Sequence, residues 1–595
     1  MAYRPPVRDH AFLLSDVLDL SQYADLPGFA AAPMDVVDQI LQEAGRFTSE
    51  VLAPLNSIGD KQGCTWRQDR TVTTPEGFPE AYRALVDGGW PALGADPAFG
   101  GQGLPHVINL AFSEMSSSAN MAFSMYPGLT HGAYSAILNG GSDAQKALYL
   151  PRLASGEWCG TMNLTEPHCG TDLGLLRTRA TPQPDGSYRL SGQKIWISGG
   201  EHDLAENIVH LVLARIDGAP AGTRGISLFI VPKFIPDADG RPGARNSVYC
   251  VGLEEKMGIH GNATCVMSHE ESIGWLVGEE NRGLALMFVM MNEARIGVGL
   301  QGIAQAEAAY QAAADFARDR LQGRSLTGAK NPDGPADPII VHPDVRRMLM
   351  DSRAMIEGGR AFLFWLALQG DLAHAAKDET VRQKAADYAA LMTPVVKGFL
   401  TDRGFKACSD ALQVHGGSGF TEHYPASQYL RDCRITMIYE GANGVQALDL
   451  VGRKLAANGG RAVMSFFAEI DAFIDAAGPD PQLAPFLEGL ASAKAKLQEA
   501  TLWLMQNGLA NPDNAGAASS DYMHLFGLTA LAYMWAQMAR AALVRVAAND
   551  PDPFYRDKIK VGRYFLDRVL PEADVHLVRL KTGAASLMAL EDAAF

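Results

Sequence analysis

No C-x-x-C pair occurs in this chain, and its seven cysteines (Cys64, Cys159, Cys169, Cys250, Cys265, Cys408 and Cys433) are scattered and odd in number. That pattern argues against a zinc ribbon or a disulfide framework and points to a reducing compartment. Positive charge is scarce, the formal net charge being -16 at pH 7. General attraction to nucleic acid or to an anionic membrane is thereby disfavoured, and an anionic ligand needs a local basic pocket. Long apolar runs are missing too. The densest, LALMFVMM at 284–291, is too short to span a bilayer, and MAYRPPVRDHAFLL has no long apolar stretch behind its charges. The expected setting is the cytoplasm, without membrane insertion. His415 and the SHEES run at 268–272 lack partners at metal-ligand spacing, so no metal is expected.

What is present is enough chain, 595 residues, for several domains and a cleft. Hydrophobic residues at 47% against 20% charged mark a folded globular protein. The fold class is α+β and multidomain. Residues 1–33 read as an N-terminal extension. Helical spacing fills 34–159, where Val36, Ile40, Ala44 and Phe47 share a face. A β domain over 160–276 contains the β-branched runs SYRLSGQKIWIS, NIVHLVLARI and GISLFIVP. A helical bundle over 277–455 is interrupted by the Pro/Gly-rich loop at 327–343. An additional helical domain, 456–595, carries the stripe Phe486, Leu490, Leu497, Thr501 and Leu504, with one break at NGLANPDNAGAASSD.

Five stretches invite chemistry. TMNLTEPHCGTDLG at 161–174 is a non-helical loop whose backbone, with Thr165 and Thr171, could approach a ring edge or a phosphate. GQKIWISGG puts Trp196 and Ser198 at a strand end, where ligand contact and core packing are both open for Trp196. QVHGGSGF at 413–420, with Gln413 and Gly417, is a glycine-dense turn that could accommodate a pyrophosphate or be structural, and it matches neither a Rossmann fingerprint nor a P-loop. FARDRLQGRS places Arg318, Arg320 and Arg324 at a helix end, where a solvated basic face is the plain alternative. In RITMIYEGANGVQALDL, Glu440 is the one charged side chain between Arg434 and Asp449, set among Ile435, Met437, Ile438, Val445 and Leu448. It is either a helix cap or a base in a dry pocket.

In order, LTEPHCGTD, GQKIWISGG, EEKMGIHGNATC, ENRGLALMFVMMNEARIGVG, ARDRLQG, QVHGGSGF and IYEGANGVQ resemble the acyl-CoA dehydrogenase family over about 160–450. YRPPVRDHAFLL and the extra C-terminal helices resemble an enlarged subgroup of it. The resemblance implies a helical domain, a β-barrel-like domain and a helical bundle, with FAD lodged between the last two. It implies that Thr165 and Ser198 face the flavin's pyrimidine edge and N5, that Trp196 covers the ring and that Thr171 lies near the pyrophosphate. Arg320, Gln413 and Gly417 match positions that hold the pyrophosphate and adenosine, one contribution crossing a homodimer interface.

By the same resemblance Glu440 is the base that takes the α-proton of an acyl-CoA while the β-hydride goes to the flavin. Electron-transfer flavoprotein is the expected electron acceptor, and a short acyl-CoA, 3-methylmercaptopropionyl-CoA first, the expected substrate. Met287, Met290, Met291 and Met437 could offer a thioether a soft wall or be core filler. Where relatives carry Glu-Gly-Thr and a following Gln, this chain has Gly441, Ala442, Asn443 and Gly444, which leaves those cofactor contacts open. Glu293 lies close to the position from which some relatives supply the base, but Ala294 occupies that position itself, so Glu440 is weighed above it. The alternatives are a straight-chain acyl-CoA dehydrogenase, an acyl-CoA oxidase or a non-catalytic flavin-binding scaffold.

Overall fold

The computed structural model describes residues 3–595. Helices come first: α1 (Val7–Phe12), α2 (Met34–Phe47), α3 (Ala53–Gln62), α4 (Phe78–Asp87), α5 (His106–Ala119), α6 (Met121–Gly140) and α7 (Asp143–Ser155), with a small hairpin of β1 (Thr65–Trp66) and β2 (Val72–Thr73). Strands follow: β3 (Trp158–Asn163), β4 (Arg179–Pro182), β5 (Tyr188–Ser198), β6 (Asn207–Ile216), β7 (Ile226–Pro232), β8 (Phe234–Pro236), β9 (Pro242–Arg245), β10 (Val248–Leu253) and β11 (Thr264–Val277). The rest is helical: α8 (Gly283–Asp319), α9 (Pro343–Ala375), α10 (Glu379–His415), α11 (Ala426–Arg434), α12 (Asn443–Asp449), α13 (Arg461–Ala476), α14 (Ala484–Ala510), α15 (Pro512–Ala547), α16 (Pro553–Tyr564) and α17 (Glu572–Leu580). The chain forms two compact units. One comprises Met1–Gly45, Pro105–Ser118 and Val298–Phe595, the other Arg46–Leu104 and Ala119–Gly297.

In the sheet-bearing unit, β11 pairs with β5, β5 with β4, β4 with β6, β6 with β7 and β7 again with β11. This ring is closed, so those five strands present no free edge to another chain. β10 adds to β11 and β3 to β6 outside the ring. NIVHLVLARI is apolar throughout because β6 is buried on both sides. Val209, Leu211 and Leu213 pack with Ala133, Ile137, Leu150 and Leu153 of α6 and α7, while Val212 and Ala214 meet Leu190, Ile197, Phe229 and Cys265.

The all-helical unit is tied together by buried charge. Arg360 of α9, 1% exposed, donates to Asp9 (2.6 Å) of α1, Glu114 (2.7 Å) of α5 and Glu307 (2.6 Å) of α8. Lys558 of α16 donates to Glu357 at 2.6 Å and also contacts Asp9, and His10 Nε2 lies 2.9 Å from Glu114. Burial alone would push Asp9 and Glu114 up. The cations beside them outweigh that, holding Asp9 below the ordinary carboxylate range and Glu114 at about 2. The N-terminal extension is therefore part of this core.

α14 buries Phe486, Leu490, Leu497, Thr501 and Leu504, as their spacing requires. The break after it is far shorter than the sequence implies: Asn511 alone separates α14 from α15. Its side chain accepts from Asp513 N while Pro512 opens the next helix, so cap and proline together turn the chain within one residue. α8 is long and apolar enough to cross a bilayer by length and composition. Here Met287 and Met290 pack into the core beside the sheet, and Leu300, Ile303 and Ala304 are buried in the helical unit.

Candidate active site

Glu440 follows a turn of 3-10 helix, Ile435–Met437, and precedes α12. It does not cap α12, whose N-cap residue is Ala442. Glu440 has φ +59°, and Gly441 follows at +87°. Left-handed backbone at a non-glycine residue costs of order 1–3 kcal/mol and persists where the surroundings over-determine it. Those surroundings are visible. Gln446, fully buried, donates through Nε2 to the carbonyls of Glu440 and Gly441, both at 3.2 Å. A Cβ on Gly441 would lie 2.5 Å from that nitrogen, so only glycine admits the brace. The Tyr439 hydroxyl bonds Gln301 of α8, and Asn443 turns inward to α10. Glu440 itself is half-buried, with Ile438 and Leu448 each about half exposed on this chain.

In the sheet-bearing unit, β5 and β11 slip register between Lys194 and Ile197, which face Met267 and Cys265. Two residues on β5, Ile195 and Trp196, therefore oppose one on β11, Val266, a bulge. Inward-facing Leu190 and Lys194 give way after it to inward-facing Ile197, and Trp196, at φ +60°, is turned out and 60% exposed. Core packing is thus excluded for Trp196. Ser198 ends the strand half-buried, and the Thr165 carbonyl accepts from Ile195 N at 3.0 Å, which holds Thr165 beside the bulge. Thr171 is exposed on the same loop.

That loop is pinned by Glu166, which accepts from Arg177 N (2.7 Å), Thr178 N (3.0 Å), Thr178 Oγ1 (2.6 Å) and buried Lys194 Nζ (2.9 Å). Burial would raise the Glu166 carboxyl, but Lys194 and these donors hold it at about 2. Glu166, His168 and Cys169 bring ligand atoms within 4.8 Å of one another. Both Glu166 oxygens are already engaged, so the trio is a loop anchor. The sequence reading missed Glu166 and Lys194. The signal was there in a lysine at an inward-facing strand position, which demands a buried carboxylate.

In the helical unit, Arg320 is exposed just past the end of α8, its carbonyl accepting from Ile339 N at 2.8 Å. Gln413 and Gly417 are exposed where α10 gives way to a 3-10 turn, and a Cβ on Gly417 would meet nothing within 4 Å. Each unit by itself thus offers groups of the kind a flavin dinucleotide needs, an outward aromatic plane and hydroxyls at a pinned loop in one, an exposed cation and an open glycine turn in the other. Glu293, the alternative base, lies 3.7 Å from His131 in the sheet-bearing unit. Met287 and Met290 are core residues, at most 1% exposed, and offer no wall to a ligand.

Four family models match the chain in succession. They are the acyl-CoA dehydrogenase N-terminal domain over 37–157, middle domain over 161–271 and C-terminal domain over 281–455, then an acetyl-CoA dehydrogenase C-terminal-like domain over 466–591. The 3-methylmercaptopropionyl-CoA dehydrogenase of Ruegeria pomeroyi is 42% identical, over 99% of both chains. A broad-specificity linear acyl-CoA dehydrogenase of Mycobacterium tuberculosis is 35% identical over 100% of both. The solved structure of Caenorhabditis elegans ACDH-11 superposes with a TM-score of 0.77 at 19% identity, covering 95% of this chain and 91% of its own. The chain belongs to the acyl-CoA dehydrogenase family, FAD-dependent oxidoreductases that act on CH–CH bonds.

Proposed function

We propose that this chain desaturates a short acyl-CoA thioester between Cα and Cβ, with Glu440 as base and 3-methylmercaptopropionyl-CoA as substrate. The observation that carries the assignment of the base is the left-handed Glu440–Gly441 backbone braced by Gln446. FAD, when bound, supplies the acceptor for the β-hydride. The Glu440 carboxylate takes the α-proton onto an oxygen. Substrate that displaces water from around this carboxylate would disfavour its ionised form and so strengthen the base. Thr165, Trp196 and Ser198 would hold the ring system, and Thr171, Arg320, Gln413 and Gly417 the pyrophosphate and adenosine. Electrons would then leave to an electron-transfer flavoprotein, in the cytoplasm, where seven free thiols persist.

The substrate reading is supported by full-length similarity to the R. pomeroyi enzyme. Its chemistry is consistent: sulfur on the β-carbon stabilises the positive charge that develops as hydride leaves, and the product is conjugated with the thioester. The linear acyl-CoA relative of M. tuberculosis supports straight chains as the second reading. We expect kcat/KM for the thioether to match or exceed that for butanoyl- and pentanoyl-CoA and to exceed that for octanoyl-CoA, with slow reoxidation in air. A preference for octanoyl-CoA of about tenfold or more would end the thioether assignment and leave the dehydrogenase standing.

The proposed assembly is a homodimer, supported by the exposure of Arg320, which matches the family residue that completes the FAD site across a subunit contact. Light scattering is expected to give twice the chain mass. A monomer that retains full FAD content would overturn this assembly.

A further inference from the structure

We propose that the hydrogen-bonded chain His524–Asp402–Asn443 positions the Glu440 loop, making the C-terminal helices part of the apparatus that places the base. The inference rests on Glu440 being the base. Asn443 opens α12, three residues after Glu440. Its Nδ2 donates to Asp402 Oδ1 at 2.7 Å and to the Gly398 carbonyl at 3.1 Å, and its Oδ1 accepts from fully buried Lys397 at 2.8 Å. One side chain thus fixes the start of α12 to a full turn of α10. The other Asp402 oxygen accepts from His524 Nε2 of α15 at 2.9 Å.

His524 is itself held. Its ring stacks on His576 of α17 at 5.1 Å and meets Phe399 edge-on at 5.5 Å, while His576 Nδ1 lies 2.8 Å from Asp521. The helices converge where side chains are smallest. A Cβ on Gly398 would lie 2.3 Å from Met523 Sδ of α15 and 3.6 Å from Gln446 Cβ of α12, and one on Gly527 would lie 2.4 Å from the Phe399 ring. A movement of α15 is therefore passed through Asp402 to the first residue of α12. That short helix also carries Gln446, the brace on the Glu440 and Gly441 carbonyls.

The test uses FAD-loaded His524→Ala, His524→Gln, Asp402→Asn and Asn443→Ala enzymes, mixed anaerobically with butanoyl-CoA in single turnover. Misplacement of a base costs rate more than binding, so flavin reduction is expected to slow about tenfold or more while the acyl-CoA Kd moves less than about threefold. Amide hydrogen exchange over residues 438–446 is expected to accelerate, and His524→Gln, which keeps an N–H donor, to recover most of the rate. The His524→Ala/Asp402→Asn double variant should be little worse than the poorer single one, as members of one chain behave. Should His524→Ala fail to fold, the near-isosteric Asp402→Asn carries the test. Wild-type reduction and exchange in these variants, or losses of rate matched by equal losses of binding with unchanged exchange, would overturn the relay. Turnover by Glu440→Gln would overturn the base reading instead, and the exchange of 438–446 would then decide the relay alone.

Discussion

Replacing Glu440 by glutamine is expected to leave FAD and acyl-CoA bound while turnover falls about 100-fold or more, the usual consequence of removing a general base. The substitution preserves size and hydrogen-bonding capacity, and the brace from Gln446 is to backbone carbonyls, so the loop should keep its conformation. What disappears is the ability to accept a proton. Stopped-flow flavin reduction measures this directly, with Glu293→Gln in parallel. Because Glu293 sits beside His131 in the sheet-bearing unit, its variant should retain most of the rate. Substantial turnover by Glu440→Gln together with its loss in Glu293→Gln would move the base to Glu293.

The largest stability effect is expected at Arg360. Its guanidinium meets three carboxylates from three separate elements, and the side chain is 1% exposed. Arg360→Ala leaves Glu114 and Glu307 in a core without their principal counter-charge, which costs about 3–5 kcal/mol when a buried pair is broken from one side. Set against a typical total of about 5–15 kcal/mol, that is enough to unfold the helical unit at modest temperature. Arg360→Lys should rescue little, since the three carboxylates are met by Nε, Nη1 and Nη2 in turn, and an ammonium gathers all its donors on a single nitrogen that cannot span them. Urea titration followed by circular dichroism reads the change, and an Arg360→Ala unfolding free energy within about 1 kcal/mol of wild type would refute the argument.

Motif order made the family legible because the features that carry it are local: a strand end, a glycine turn, a carboxylate before Gly441. The stripe on α14 was legible for the same reason, since its period is written in consecutive turns. Trp196 was not, because a one-residue bulge reverses which strand positions face inward, and it arises from pairing with β11 rather than from β5 itself. The hub around Arg360 was invisible as well. Its charges come from positions 9, 114, 307, 357, 360 and 558, which share no periodicity and look like ordinary surface residues one at a time. Asn443, between Ala442 and Gly444, drew no reading of its own, and its inward anchoring to α10 became apparent only with α10 in place.

The contact between Asp9 and Lys558 joins positions 549 residues apart. At ribosomal speeds of 5–20 residues per second, about 30–110 s pass between the emergence of the two. Until Arg360 emerges Asp9 has neither of its cations, and for the rest of that interval α1 still lacks the ammonium while the apolar residues Phe12, Leu13 and Leu14 wait beside it. The sheet-bearing unit ends at Gly297, so all of its residues have left the ribosome long before. Biosynthesis thus imposes an order in which the barrel closes first, and the opening helix of the chain is among the last pieces to settle.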